Sequence, residues 1–362
     1  MRLFFIIFLA LMLSANVYVI WHIWRILPFA IWVKWLSTAL ALLSVACLFV
    51  TLSPMLDRLP MPISVSVYEI GTGWLVVLLY MVMAFLVLDI GRLVRLVPAS
   101  FLKNSVWGSV TLLVVIGGLL VYGYIHYNNK YRETITIKTD KPLAKPIKAV
   151  LLSDLHLGYH NRKGELSRWV GIINDEKPDV VLIAGDIIDR SMRPLKEEKM
   201  AEELRKINAP VIACIGNHEF FSGVDNALEF YKESGITLLR DSSVVMDSIQ
   251  IIGRDDRMNM RRLKTAQLME KADKNKFTIL LDHQPYNLEE SEKCGIDFQF
   301  SGHTHHGQVW PISLITESVY ECAFGPWKRG NTHYYVSSGI GIWGGKFRIG
   351  TRSEYVVATI TN

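Results

Sequence analysis

Hydrophobic positions are distributed unevenly along the chain, and four long apolar runs precede residue 130. They cover roughly residues 3–20, 35–52, 70–88 and 106–125. Each run approaches the ~20 residues that an α-helix needs to cross ~30 Å of hydrocarbon. Tryptophans cluster between the first two runs, as aromatic residues do at headgroup depth. We therefore predict a four-helix transmembrane region over residues 1–126.

The first run has a second interpretation. Arg2 precedes the apolar stretch and the small residues of "SAN" follow it, which is also the pattern of a cleaved signal peptide. Hydrophobicity resumes almost at once after this stretch, and this favours a retained helix.

A different pattern begins after a polar segment, residues 127–146, which we interpret as a linker with one short strand. Its strand candidates are short apolar or alternating runs at residues 147–154, 179–186, 210–218, 277–283 and 297–303. Most are continuous, as in strands covered on both faces. Helical patterns lie between them at residues 163–175, 195–208 and 225–235. A hairpin near residues 238–256 and strands near 332–339 and 354–360 complete the pattern. The prediction for residues 147–362 is an α/β fold with α-β-β-α layers.

Charge separates the two halves of the chain. Of the 39 Lys and Arg and the 34 Asp and Glu, eight bases and three acids lie at or before Lys130, which leaves 31 of each in the remainder. The second half is therefore neutral and lacks the basic footprint of a nucleic-acid binder, so no nucleic-acid partner is expected. The four cysteines form no CxxC pair. The three in the second half cannot all pair with one another, and we expect them to be free thiols.

The five central strand candidates share one feature: each ends in Asp, Asn or His. Open α/β sheets bind ligands beyond the carboxyl ends of their strands, so these side chains are expected to converge. Taken singly, Asp-x-His or "GNHE" is typical of a turn, and a lone histidine of a protein core. Five such ends in phase indicate one common site. The residues concerned are Asp154, His156, Asp186, Asp189, Asn217, His218, Asp282, His283, His303, His305 and His306.

The donor types indicate which ions would bind. Carboxylate, imidazole and amide oxygen without thiolate suit Mn²⁺, Zn²⁺ or iron, and there are enough donors for two divalent ions. A carboxylate shared by two ions, the expected place of Asp186, would hold them about 3.5–4 Å apart. Such a pair lowers the pKa of a bound water and neutralises charge on phosphoryl oxygens, which is the chemistry of phosphoester hydrolysis.

The ordered motifs Asp-x-His, Gly-Asp-x-x-Asp, Gly-Asn-His-Glu, a later His and Gly-His-x-His resemble those of the calcineurin-like metallophosphoesterases. The resemblance covers about residues 146–362. The versions "SDLHLG" and "SGHTHHGQ" are most similar to a subgroup with membrane-attached or exported members, some of which cleave the pyrophosphate of UDP-2,3-diacylglucosamine.

The resemblance implies a role for each motif residue. His218 would contact the phosphoryl group and assist the leaving oxygen, and Asp189 would orient ligands without touching metal. His306 stands where many relatives have Gly, and it has either such an outer role, a substrate role or that of a solvated loop residue. The ligands of one ion would be Asp154, His156, Asp186 and His305, and those of the other Asp186, Asn217, His283 and His303.

The sequence does not decide the roles of four further residues. His160, Arg254, Asp255 and Asp256 would either line the pocket or belong to surface turns.

The membrane region extends the functional prediction. A tether keeps the site near the bilayer, so we predict a phosphorylated lipid or lipid-linked substrate and a phosphodiesterase or pyrophosphatase reaction. The helices alternatively serve only for anchoring or dimerisation. The other functions considered are a membrane-tethered nucleotide phosphodiesterase and a sensor that binds a phosphorylated ligand without turnover.

The orientation in the cell membrane follows only weakly from the sequence. Loops one and three carry five bases, against six on the side of the termini and the linker, so the positive-inside rule is close to a tie. Compact charge in the internal loops and the exported relatives favour an extracytoplasmic domain. The free thiols favour the opposite side.

Overall fold

A computed structural model describes residues 2–362, so Met1 of the predicted membrane region lies outside the described residues. The chain forms two compact units. The first contains the residues up to Ile125 together with Gly344–Phe347, and the second contains His126–Trp343 and Arg348–Asn362.

The described part of the first unit contains α1 (Arg2–Ile26), α2 (Ile31–Thr51), α3 (Met61–Leu93) and all but the last three residues of α4 (Val106–Asn128). All four are long and apolar enough to cross a membrane. Helices α2 and α3 approach closely at Gly71, where an added Cβ would lie 2.6 Å from the backbone nitrogen of Leu48. The absence of a side chain at this position therefore permits the close packing of the two helices.

The second unit contains two six-stranded sheets within the described residues. The order in the first sheet is β1-β12-β2-β3-β4-β5, and in the second it is β10-β11-β9-β8-β7-β6. The strands are β1 (Lys130–Lys138), β2 (Ile147–Leu152), β3 (Val180–Ala184), β4 (Val211–Cys214), β5 (Thr237–Leu238), β6 (Ser242–Met246), β7 (Ile249–Gly253), β8 (Phe277–Leu281), β9 (Phe298–Ser301), β10 (Gly325–Arg329), β11 (Thr332–Val336) and β12 (Ser353–Thr361).

Apolar side chains from both sheets form a common core, which includes Leu151, Leu182, Ile279, Phe300 and Val356. A second cluster lies between the first sheet and its helices. The predicted α/β fold of two packed sheets with helices is thereby confirmed. The helices are α5 (Lys163–Asp175), α6 (Met192–Glu197), α7 (Met200–Leu204), α8 (Asn217–Ser222), α9 (Val224–Glu233), α10 (Thr265–Met269), α11 (Leu288–Cys294) and α12 (Ile312–Val319).

The segment interpreted as a linker with one short strand contains the whole of β1, which is nine residues long. Strand β1 pairs in parallel with β12 along its whole length, from Lys130 opposite Ser353 to Lys138 opposite Thr361. Its alternation of β-branched and polar residues suits this edge position, where one face is covered.

The helical pattern at residues 195–208 is interrupted in the structure. Helices α6 and α7 are separate because Lys199 adopts a left-handed conformation, with φ of 54°, that ends the regular helix.

Strands β2, β3 and β4 are mutually parallel, and so are β7, β8 and β9. The carboxyl ends of each set therefore lie at one edge, where the loops carry the polar motifs.

Candidate metal centre

The loops that follow the strands hold several motif residues in an uncommon backbone conformation. Positive φ angles are found at Asp154 (55°), His156 (46°), Asp186 (52°), His303 (70°) and His305 (48°). A non-glycine residue in this region costs of order 1–3 kcal/mol, and such strain concentrates at functional sites. All five residues are among those predicted to bind metal.

Two glycines allow the backbone to approach the carboxylates. A Cβ at Gly302 would lie 2.4 Å from Oδ2 of Asp154, and a Cβ at Gly216 would lie 2.2 Å from Oδ1 of Asp186. Any larger residue at these positions would displace the carboxylates, so both glycines are needed to build the site.

Asp154, His156 and His305 form a first cluster of donor atoms, all within 4.8 Å of one another. The Nε2 atoms of the two histidines are 3.0 Å apart. Oδ1 of Asp154 lies 3.8 Å from Nε2 of His156 and 3.5 Å from Nε2 of His305. Three electron-pair donors therefore face a common point, which is the arrangement that a cation requires.

Asp186, His283 and His303 form a second cluster by the same criterion. Nδ1 of His283 donates to the carbonyl oxygen of Ala184 at 2.7 Å, which leaves Nε2 as the free nitrogen. That nitrogen lies 3.1 Å from Oδ2 of Asp186 and 3.1 Å from Oδ1 of Asn217. Asn217 thus brings its amide oxygen to the same point.

The two clusters meet at one carboxylate. Oδ2 of Asp186 lies 3.1 Å from Nε2 of His283 in the second cluster and 3.7 Å from Nε2 of His156 in the first. The donor set of carboxylates, imidazoles and one amide oxygen therefore fits two divalent ions that share Asp186.

The electrostatics of the clusters suit metal binding. Burial and, to a smaller extent, the nearby His283 lower the pKa of His303 to about 3. Burial also lowers the pKa of His305. Both imidazoles are therefore neutral near pH 7, which is the form that binds a metal ion. Burial raises the pKa of Asp154 in the same pocket.

His218 lies beside these clusters and has its own hydrogen-bond partners. Its Nδ1 donates to the backbone oxygen of Asp189 at 2.5 Å, and its backbone N–H donates to Oδ1 of Asp186 at 2.9 Å. Burial alone would lower the pKa of His218, but the charges of Asp186 and Asp189 raise it to about 9. Because the backbone of Asp189 engages Nδ1, Nε2 is the ring nitrogen that remains to act on a ligand.

Asp189 supports two histidines at once. Its Oδ1 lies 3.4 Å from Nδ1 of His156 and 3.5 Å from Nδ1 of His218. Burial raises the pKa of Asp189, but hydrogen bonding with these two rings outweighs burial and holds the pKa well below its usual range. The carboxylate is placed to orient both rings.

His306 and His160 lie apart from the donor clusters. His306 stacks on Phe324 with ring centroids 4.6 Å apart, and its Nε2 is 2.8 Å from Oε1 of Glu317. His160 is fully buried and its Nε2 donates to the carbonyl oxygen of Ile342 at 2.5 Å. His306 therefore contacts α12 and the loop at Phe324, and His160 contacts the loop at Ile342.

The segment Arg254–Asp256 is buried, so it is not a surface turn. Arg254 donates to Oδ2 of Asp282 at 3.1 Å, and Asp256 accepts two bonds, of 3.0 and 2.8 Å, from Nε2 of Gln284. These contacts place a network of charged residues directly behind His283.

Residues 147–307 match the family model described as calcineurin-like phosphoesterase. A metallophosphoesterase of Campylobacter jejuni is 30% identical over 257 residues, which cover 68% of this chain and 68% of the relative. The chain belongs to the calcineurin-like phosphoesterase family.

Two other proteins of similar sequence show how much of each chain the similarity covers. A metallophosphoesterase of Helicobacter pylori strain J99 is 35% identical over 231 residues, covering 62% of each chain, so the match spans less than two thirds of that relative. A zebrafish protein described as a transmembrane protein with metallophosphoesterase domain is 28% identical, over 78% of this chain and 70% of its own length. Together with the four apolar helices, this likeness indicates a membrane protein.

Two buried residues of the phosphoesterase domain were not singled out from the sequence. Glu219 accepts from the backbone N–H groups of Gly216 (2.8 Å), Ile188 (3.0 Å) and Asp186 (3.2 Å), and so ties two ligand loops together. The sequence feature that could have identified Glu219 is its position three residues after Gly216 at the start of α8, which is the spacing of a capping box.

Arg348 is the second such residue. It is fully buried and donates to the carbonyl oxygens of His305 at 2.6 Å and Gly341 at 3.1 Å, and also to that of Ser338. Burial lowers its pKa to about 10. Its location in "GGKFRIG" gives no local indication that it reaches the histidine turn.

Proposed function

We propose that this chain is a membrane-bound, metal-dependent phosphodiesterase or pyrophosphatase that uses two divalent ions. The observation that carries the proposal is the sharing of Asp186 between two clusters of donor atoms. Asp154, His156, Asp186 and His305 would hold one ion, and Asp186, Asn217, His283 and His303 the other. Bound there, two ions would supply an activated water and neutralise charge on the phosphoryl oxygens.

The residues of the chain then have distinct tasks. His218, with Nδ1 fixed by the backbone of Asp189, presents Nε2 to the phosphoryl group. A pKa raised to about 9 keeps this ring protonated at neutral pH, so it donates a hydrogen bond or a proton to the leaving oxygen. Cations bound nearby would lower that pKa towards neutrality, where proton transfer is most effective. Asp189 holds the imidazole in this orientation.

The four apolar helices support a substrate in or at the bilayer. Confinement to a membrane concentrates lipid headgroups in two dimensions around the enzyme, which a soluble nucleotide does not gain. We therefore propose a phospholipid or a lipid-linked phosphoester or pyrophosphate as substrate. UDP-2,3-diacylglucosamine, a pyrophosphate with two acyl chains, is one member of this class.

The test uses full-length protein in detergent with Mn²⁺. We expect hydrolysis of a headgroup-labelled phospholipid or a lipid-linked sugar pyrophosphate in mixed micelles, with kcat/KM at least about tenfold above that for UDP-glucose. A chelator should abolish both reactions. Equal rates on both substrates would contradict the proposed lipid substrate but would still support a hydrolase. Binding of phosphorylated compounds without turnover would favour a sensor.

The location of the domain is part of the proposal: we place it on the extracytoplasmic side of the cell membrane. Met260 is 92% exposed, so a cysteine there is accessible to a membrane-impermeant maleimide. With Cys294 replaced by serine, the Met260→Cys protein should be labelled in intact spheroplasts. A Phe29→Cys protein, changed between α1 and α2, should be labelled only after lysis. The reverse pattern would place the domain in the cytoplasm.

A further inference from the structure

Arg257, unlike Arg240, Arg254 and Arg262, has no acidic partner within the described residues. Its guanidinium carbon lies 4.1 Å from the centroid of the Tyr286 ring. A planar guanidinium held against an aromatic face keeps its N–H groups available along its edge. Arg257 is exposed, so a ligand from solvent has access to these donors.

Three neighbouring arginines, unlike Arg257, already have acidic partners. Arg254 and Arg262 each donate to Asp282, at 3.1 and 3.2 Å, and Arg240 donates to Asp255 at 2.6 Å. These carboxylates are therefore satisfied by other cations and do not compete for Arg257. The charge of Arg257 remains available for an external anion.

Two sets of contacts connect Arg257 to the metal centre. The hydroxyl groups of Tyr286 and Tyr320 are 3.0 Å apart, and the Tyr320 ring centroid lies 6.3 Å from that of His303. On the backbone side, Asp256 precedes Arg257 and accepts two hydrogen bonds from Gln284, which follows His283. Arg257 is therefore linked to His303 through the Tyr286 and Tyr320 side chains, and to the loop of His283 through Asp256 and Gln284.

The loop that bears Arg257 is itself well fixed. The backbone N–H groups of Asp255 and Leu263 donate to the carboxylate of Asp241, each at 2.9 Å. Asn259 donates to Asp255 at 2.7 Å. A rigid loop reduces the entropy lost when its arginine binds a ligand.

We propose that Arg257, supported by Tyr286 and Tyr320, binds a second anionic group of the substrate, separate from the phosphoryl group at the metal centre. The inference rests on the proposed function and deepens it. The substrate class becomes a phosphoester that carries another phosphate or carboxylate on a spacer. Because the two aromatic rings lie between His303 and Arg257, the spacer has to pass along them.

The experiment is isothermal titration calorimetry on full-length, Mn²⁺-loaded protein in detergent. The probes are butylphosphonate and alkylene bisphosphonates with spacers of increasing length. The variants are Arg257→Ala, Arg257→Lys and, as a matched control on the same loop, Arg261→Ala, whose side chain is also exposed. Thermal melting of each variant verifies that it is folded.

We expect one spacer length to bind about tenfold more tightly than butylphosphonate, as for one charge-assisted contact. Arg257→Ala should lose this advantage and retain butylphosphonate binding, Arg257→Lys should keep part of it, and Arg261→Ala all of it. An equal loss in both alanine variants, or an unchanged advantage in Arg257→Ala, would overturn the inference. Spacer-dependent binding without catalysis would overturn only the proposal that the protein is a hydrolase. Failure of every phosphonate to bind would overturn both that proposal and the proposed anion site at Arg257.

Discussion

Oδ2 of Asp186 lies 3.1 Å from Nε2 of His283, a contact between a carboxylate and a ring nitrogen whose partner nitrogen already donates to a backbone carbonyl. In the neutral ring the proton is on Nδ1, so Nε2 presents a lone pair. The carboxylate oxygen and Nε2 then face each other with lone pairs, and this contact is stable only with a positive charge between them. A proton on Nε2 supplies it in part: burial alone would lower the pKa of His283, but the charge and the hydrogen bond of Asp186 raise it. A divalent ion supplies it more completely and also engages Asn217.

Asp186→Asn tests the sharing of this carboxylate. The change keeps the shape of the side chain but removes the negative charge that both clusters use. We expect bound metal to fall from two ions per chain to one or none, and kcat/KM to fall more than about 100-fold, since several kcal/mol of charge stabilisation are lost. Metal analysis of the purified protein and a chromogenic diester assay would measure the two effects. The exposed Asp140→Asn change is the matched control, and equal metal content in both variants would contradict the shared site.

His218→Gln separates the proposed acid from the ligands. Glutamine can still donate a hydrogen bond but cannot transfer a proton, and residue 218 does not belong to either proposed ligand set. We expect kcat to fall about 10²–10⁴-fold with two ions still bound. The effect should be smallest for substrates with a good leaving group such as nitrophenolate, which needs little protonation. A loss of metal that parallels the loss of rate would instead make His218 a ligand.

Much of this site follows from sequence because parallel strands bring their carboxyl ends to one edge. Residues as distant as Asp154 and His303 therefore meet, and the backbone N–H of His303 donates to both oxygens of Asp154 at 3.1 Å. The remaining features depend on tertiary contacts that leave no local pattern. Strand β1 pairs with a strand more than 200 residues later, and the side chain of Arg348 bonds to the carbonyl oxygen of His305 from a glycine-rich loop.

Arg348→Lys tests this long-range support. Lysine keeps the positive charge but cannot reach all the carbonyl oxygens, and unsatisfied buried carbonyls cost about 1–3 kcal/mol each. We expect a lower melting temperature and, because the turn at His305 loosens, a metal affinity reduced about 10–100-fold. Arg261→Lys, at an exposed position, controls for the change of residue type. Unchanged metal affinity in a destabilised Arg348→Lys protein would restrict Arg348 to a structural role.

The attachment of β1 to the domain makes a prediction about acid stability. Oε1 of Glu176 accepts from Nε of Arg132 on β1 at 2.6 Å, and Oε2 accepts from Nζ of Lys148 on β2 at 3.0 Å. The hydrogen bond from Arg132 and, after it, that from Lys148 lower the pKa of Glu176 to about 2 against the opposing effect of burial.

A carboxyl group whose pKa is lower in the folded than in the unfolded state stabilises the fold fully at pH values above its unfolded-state pKa, which is near 4.3. Glu176 loses this contribution as the pH falls from there through its folded-state pKa of about 2. The melting temperature of wild type should therefore exceed that of Glu176→Gln by about 2 °C at pH 7, a modest amount because Arg132 is partly exposed, and the difference should shrink between pH 4 and pH 2. Glu270→Gln, at an exposed position without these partners, should show no such difference. A melting difference that stays constant down to pH 2 would contradict an ionic role for Glu176 and leave only the loss of packing at the end of α5.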